Sequence, residues 1–203
     1  EDLEILATAR HIFDAYFASE ATRSLPEGQR PRHRWRAGDP VDDAALASLA
    51  RVYDLTVVGR PQSGTAGPRM TTLEAVLFES GRPLLIAPPE APRSLGERIV
   101  ISWNCSSESA RTVAYAMPLL VKAREVIVLT VEGAVTPGPS GKELADCLAA
   151  HGIEVRELTV LAGGRKPGEA ILEEARRLGG DLLVKGAYTQ SRLRQMIFGG
   201  ATN

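Results

Sequence analysis

The sequence predicts an α/β fold of doubly wound parallel sheets, and three observations predict it. Apolar runs such as Arg98-Ile-Val-Ile-Ser-Trp103 and Glu125-Val-Ile-Val-Leu-Thr-Val131 alternate with amphipathic stretches of helical period. Such runs, each followed by a single helix, have the character of strands buried on both faces of a parallel sheet and joined by right-handed crossovers. The pattern also occurs twice: Asp54-Leu-Thr-Val-Val-Gly59 lies over Asp181-Leu-Leu-Val-Lys-Gly186 at an offset of 181 − 54 = 127 residues. The preceding helices match as well, Ala44-Ala-Leu-Ala-Ser-Leu-Ala-Arg51 with Ala170-Ile-Leu-Glu-Glu-Ala-Arg-Arg177, Gly179-Gly180 absorbing one extra residue. Two copies at this spacing indicate tandem modules, because solenoid periods run only to about 20–50 residues.

The expected modules are residues 1–92 and 97–203, and Pro88-Pro-Glu-Ala-Pro-Arg-Ser94 between them stops regular structure. In the second module the reading gives strand 98–103, helix 107–122 with Ser106 or Ser107 as N-cap, and strand 125–131. Helix 142–150 follows, ended at His151-Gly152, where glycine adopts the left-handed C-cap conformation. Strand 155–161, helix 168–178 and strand 182–185 complete it. The first module enters the same cycle late: helix 3–18, strand 33–37, helix 41–52, strand 55–58, a Pro/Gly loop over 61–68, helix 72–79 and strand 83–87. It has no counterpart of 98–131, and the second has none of 83–87. Both modules therefore read as incomplete, and the expectation is a piece of a longer tandem protein.

Composition narrows the class. With 24 Lys and Arg against 25 Asp and Glu, a net charge of −1 gives no bias toward nucleic acid or an anionic membrane. No apolar run reaches the roughly 18 residues that span a bilayer, and Glu1, Asp2, Glu4 and Asp14 argue against a secretory leader. The expected compartment is the cytoplasm. Cys105 and Cys147 are too few for a disulfide framework, lie in no zinc-type spacing and read as reduced, buried small residues. His11, His33 and His151 are scattered and read as surface or capping residues.

Ligands of open parallel sheets sit beyond the C-terminal strand ends where the winding reverses. In the second module four segments reach that edge: Trp103-Asn-Cys-Ser-Ser107, Thr130-Val-Glu132, Ala162-Gly-Gly164 and residues 186–202. After the last strand, Gly186-Ala-Tyr-Thr189 is followed by nine residues and then Gly199-Gly200. Glycines there let backbone approach a ligand closely and aim helix N-terminal N–H groups at an anion, which suggests a phosphate site. Lys185 either meets a ligand's charge or snorkels to solvent, and Arg192 and Arg194 are either phosphate partners or solvated loop charges. Cys105 is either an activated thiol at a helix start or a packing residue. Gly138-Pro-Ser-Gly141-Lys142-Glu143 looks like a P-loop but has the wrong glycine spacing and no hydroxyl after the lysine. No nucleophile–base pair, nucleophile elbow or metal cluster is legible, so no catalytic or metal-binding residues are assigned.

The glycine spacing is close to G-x2-G-x9-G-[S/T], and the chain resembles the universal stress protein family over nearly its whole length. The resemblance implies an adenine nucleotide alpha hydrolase-like fold and a site for ATP or another adenine nucleotide in the second module. It assigns Asn104, standing where the family has the Asp of a D-x-S pattern, and Val131, through its backbone, to the nucleoside. It assigns Gly186, Gly199 and the N–H groups that follow to the ribose and phosphates. Thr189 replaces the second glycine, at roughly 1–2 kcal/mol if the position needs positive φ. Gly200 replaces the hydroxyl residue, for which Thr202 is the nearest substitute. The implied function is a stress-response module that binds adenine nucleotide without efficient catalysis, the alternative being a partner-binding module with a vestigial pocket. The implied partners are a nucleotide and a second copy or the other half. Pairing through the final strands predicts a dimer contact or an open edge along strand 83–87.

Overall fold

The computed structural model describes residues 2–36, 42–61 and 68–187. Its contacts divide the chain into two units, Glu1–Asp42 and Asp43–Asn203. The first unit holds α1 (Asp2–Ala18), α2 (Glu20–Arg23) and a 3-10 turn at Glu27–Gln29. The strand expected over 33–37 does not form: residues 33–36 carry no regular structure, and residue 37 lies outside the described residues. A strand needs a ladder partner, and the segment is held by rings instead. His33 stacks on Phe17 at 3.8 Å and Trp35 meets Phe13 at 5.2 Å.

The second unit begins with α3 (Asp43–Ala50), β1 (Thr56–Gly59), α4 (Met70–Glu79) and β2 (Leu84–Ala87). β1 and β2 pair in parallel, Thr56 opposite Leu84 through Gly59 opposite Ala87. Ala47 and Ala50 of α3 and Leu73 and Val76 of α4 are buried. The Thr72 hydroxyl donates to Asp43 at 2.7 Å, tying the start of α3 to α4. Among the described residues each of these strands has one neighbour, so β2 lies at a sheet edge as expected.

Then come β3 (Arg98–Trp103), α5 (Ser107–Leu120), β4 (Glu125–Glu132), α6 (Gly141–Ala149), β5 (Val155–Leu161), α7 (Pro167–Arg177) and β6 (Leu182–Lys185). The four strands form one parallel sheet in the order β5-β4-β3-β6. Alternate residues face opposite cores. Ile99, Ile101, Val126 and Val128 pack with Val113 and Leu120 of α5 and Ala145 and Leu148 of α6. Val100, Ile127 and Leu129 pack with Ala170, Ile171 and Ala175 of α7 on the other face. Each such side chain, at 0–1% exposure for the β3 and β4 residues, contributes roughly 1.5–3 kcal/mol by burial. Helices on both faces make the sheet doubly wound, as the apolar runs predicted.

Local chemistry sets the element ends. Ser106 accepts the Ser109 N–H at 3.2 Å to start α5, and Gly152 turns with φ 76° after α6. Asp181, just before β6, accepts the Ser94 hydroxyl at 2.7 Å and the backbone N–H groups of Gly96, Glu97 and Arg98 at 3.0–3.1 Å. One carboxylate thereby fixes the turn that enters β3. At the same end, Glu125 bridges the Arg98 and Arg156 guanidiniums across β3, β4 and β5. Cys147 departs from its expectation: it sits on the outer face of α6 and is exposed.

Candidate functional site at the β3/β6 switch point

The chain winds from β3 through β4 to β5 on one side, then returns past β3 to lay down β6 on the other, so the winding reverses between β3 and β6. Ser102 faces Lys185 across that boundary. Two residues expected at the site meet there on the first turn of α5. The Asn104 side-chain oxygen accepts the Ser106 N–H at 3.2 Å and hydroxyl at 2.7 Å, and that hydroxyl caps Ser109. From β6, Gly186 comes so close to α5 that a Cβ on it would lie 2.7 Å from the Ser109 nitrogen. Glycine is required there by close approach. Asn104 and Gly186 thus both lie against the start of α5, and the N–H groups of Ser107 and Glu108 in that turn have no acceptor among the described residues.

The Val131 side chain is 3% exposed in the core on the α7 face, and its carbonyl accepts the Ala134 N–H at 3.2 Å. Lys185 is exposed, its ammonium donating to the Gly186 carbonyl at 3.0 Å. The Ala162-Gly-Gly164 turn is closed on itself by Arg165, which donates to the Ala162 carbonyl at 2.8 Å and pairs with Glu173 at 2.6 Å. Thr189, Gly199, Gly200 and Thr202, with Arg192 and Arg194, lie outside the described residues.

Cys105 sits in the left-handed region at φ 64°, between Asn104 and the cap. Burial pushes its thiol pKa up against a hydrogen bond with Trp103, and the Glu143 carboxylate adds to the rise. The raised pKa and the contact of Cys105 with the core favour packing over an activated thiolate.

Sequence reasoning missed the loop before α6. Thr136 donates its N–H at 3.0 Å and its hydroxyl at 3.2 Å to the Asn104 carbonyl, and the Trp103 indole N–H donates to Pro139 at 2.9 Å. A Cβ on Gly138 would sit 2.7 Å from the Cys105 carbonyl oxygen. The stretch that resembled a P-loop is a latch over the end of β3, finished by a capping box in which Ser140 and Glu143 each accept the other's backbone N–H. Its glycines were the only signal. Beneath it, the Thr130 hydroxyl is buried without a hydrogen-bond partner among the described residues, 2.8 Å from where a Cβ on Gly141 would be. Among the described residues no three His, Cys, Asp or Glu side chains group to hold a metal, and no helix is long and apolar enough to cross a membrane.

The class so defined is a parallel α/β protein whose sheet reverses its winding between β3 and β6. The chain is similar to the crystal structure of a universal stress protein from Archaeoglobus fulgidus DSM 4304, with a TM-score of 0.60 and 19% identity, covering 91% of this chain and 66% of that one. It spans just under two thirds of that protein. It is also similar to a protein from the universal stress protein family from Burkholderia pseudomallei, with a TM-score of 0.38 and 20% identity over 54% of this chain and 94% of that one. The fold is that of the Archaeoglobus universal stress protein. No protein-family model and no curated protein matches the sequence.

Proposed function

We propose that the chain is a stress-response module of the tandem universal stress protein type, cytoplasmic, that holds ATP or another adenine nucleotide beyond β3 and β6 without turning it over efficiently. The observation that carries this reading is the convergence of Asn104 and Gly186 on the first turn of α5 at the switch point. Two unaccepted N–H groups at that helix start suit an anion. Of the assigned residues, Asn104 and Gly186 would border the nucleoside, and Gly199, Gly200 and Thr202 would reach its phosphates. Val131 remains in the proposal only through its backbone.

One observation favours the second reading, a partner-binding module with a vestigial pocket. The Asn104 oxygen is already occupied by Ser106, so a nucleotide hydroxyl would have to displace an internal hydrogen bond. Titration calorimetry with ATP, ADP and AMP separates the readings. The first expects saturable adenine-nucleotide binding, strengthened about tenfold to a hundredfold by Thr189→Gly with Gly200→Ser, which would relieve a positive-φ penalty if position 189 needs positive φ and restore a charge-assisted hydrogen bond. No binding by either folded protein overturns the first and leaves the second.

A further inference from the structure

The near-zero net charge is an average over an uneven chain. Between Gly28 and Gly38 stand four arginines, Arg30, Arg32, Arg34 and Arg36, and no carboxylate. Arg30 is spent on the fold: its guanidinium donates to the Leu25 carbonyl at 2.9 Å and the Arg23 carbonyl at 3.0 Å, which fixes where the segment begins. Beyond Pro31, His33 and Trp35 both meet Phe13 of α1, at 5.5 and 5.2 Å between ring centres. Residues two apart share a side in an extended chain, so Arg32, Arg34 and Arg36 project from the other side, about 6.4–6.8 Å apart along the backbone. All three are exposed and make no ion pair among the described residues. The rings form a short stack that reaches solvent. His33 is exposed and lies on Phe17 at 3.8 Å with the ring planes 13° apart, and Tyr16, 61% exposed, meets Phe17 edge-on at 5.1 Å.

From these features we infer that the segment from Arg32 to Arg36, with the outer face of His33, binds single-stranded nucleic acid. A strand laid along the solvent edge of the segment meets guanidiniums on one side and the imidazole on the other. The three arginines pair with successive phosphates, and an unpaired base stacks on His33. This combination of an evenly spaced cation row with an exposed ring selects the polyanion. A duplex keeps its bases stacked inside and offers the ring nothing, and an acidic peptide would use the row and leave the ring idle. A lipid surface would take an exposed indole, whereas Trp35 is half-buried with the Arg10 guanidinium over its ring at 5.5 Å. Contacts to phosphate and to a π-face carry no sequence preference.

The test uses the whole chain and a short fluorescein-labelled oligo(dT) in anisotropy titrations over a range of salt concentrations. Three phosphate contacts give log affinity against log salt a slope of about −2, at about 0.7 per phosphate on a single strand. Arg34→Ala should remove about 0.7 of that slope, and Arg34→Lys should keep it, because lysine offers a phosphate the same charge. Alanine at 32, 34 and 36 together should abolish saturable binding while the thermal midpoint moves by no more than a few degrees, since all three side chains are exposed. His33→Ala should weaken binding roughly fivefold to a hundredfold and leave the slope in place. Absence of saturable binding by the wild-type chain at low salt overturns the inference. So does binding that survives the triple variant, which places the strand elsewhere, as at the β3/β6 switch point. Equal affinity for a duplex, a glutamate-rich peptide or anionic vesicles also overturns it, in favour of that other polyanion.

Discussion

Asp181 accepts four hydrogen bonds from one turn, and its titration should be visible in the stability of the fold. Burial raises its pKa, but the Ser94 hydroxyl and the N–H groups of Glu97, Arg98 and Gly96 outweigh burial and hold it below the ordinary value. A depressed folded pKa contributes stability above the unfolded value of about 3.9, and that contribution is lost as pH falls toward the folded value. Asp181→Asn should therefore cost roughly 1–3 kcal/mol near neutrality in urea unfolding, and the gap to wild type should narrow below about pH 4. A gap independent of pH would assign the loss to packing. Gly186→Ala places a methyl 2.7 Å from the Ser109 nitrogen and should destabilise by about 1–3 kcal/mol in the same measurement, shifting α5 away from β6. At this scale the sequence was partly legible. Gly186 could be read as a close-approach glycine because it follows an apolar strand. Cys105 at positive φ could not, since nothing in its type distinguishes a strained thiol from an active one.

Elements were legible where burial and local caps agreed. β3 and β4 are apolar throughout because both faces are covered, and Ser106 and Gly152 mark helix ends by their own chemistry. The start of α6 was legible in type but not in purpose, because a glycine–proline–serine–glycine stretch serves a phosphate loop and a capped helix equally well by composition. Its Ser140 cap predicts that Ser140→Ala costs about 1 kcal/mol in urea unfolding, loosening the latch over Asn104. An unchanged midpoint would mean that the Thr136 and Trp103 hydrogen bonds hold the loop without the cap. Residues 33–36 show the limit of period-two reading. His33 and Trp35 both meet Phe13, but only a neighbouring strand makes such a segment a strand, and that neighbour is not encoded in the segment.

For the molecule as a whole, the repeat made the α/β architecture readable because the same apolar strand and helix pattern had to be satisfied twice. Of the expected pairing surface, only an edge strand was legible. β2 has its far side open among the described residues, with Ile86 50% exposed. We expect two copies to associate along it, giving a concentration-dependent dimer in sedimentation velocity that Ile86→Pro converts to monomer while the β1 ladder survives. A monomer at all concentrations would leave that edge to another half of the protein. The Asp181 clasp has a consequence during synthesis. It and the β3–β6 pairing join positions 83 residues apart, so β3 leaves the ribosome with one edge bare long before its partner is made. At roughly 5–20 residues per second, that wait lasts about 4–17 s. During that interval the bare edge of β3 is an unpaired apolar strand of the kind that invites mispairing, so order of synthesis and order of pairing differ most at the centre of the sheet.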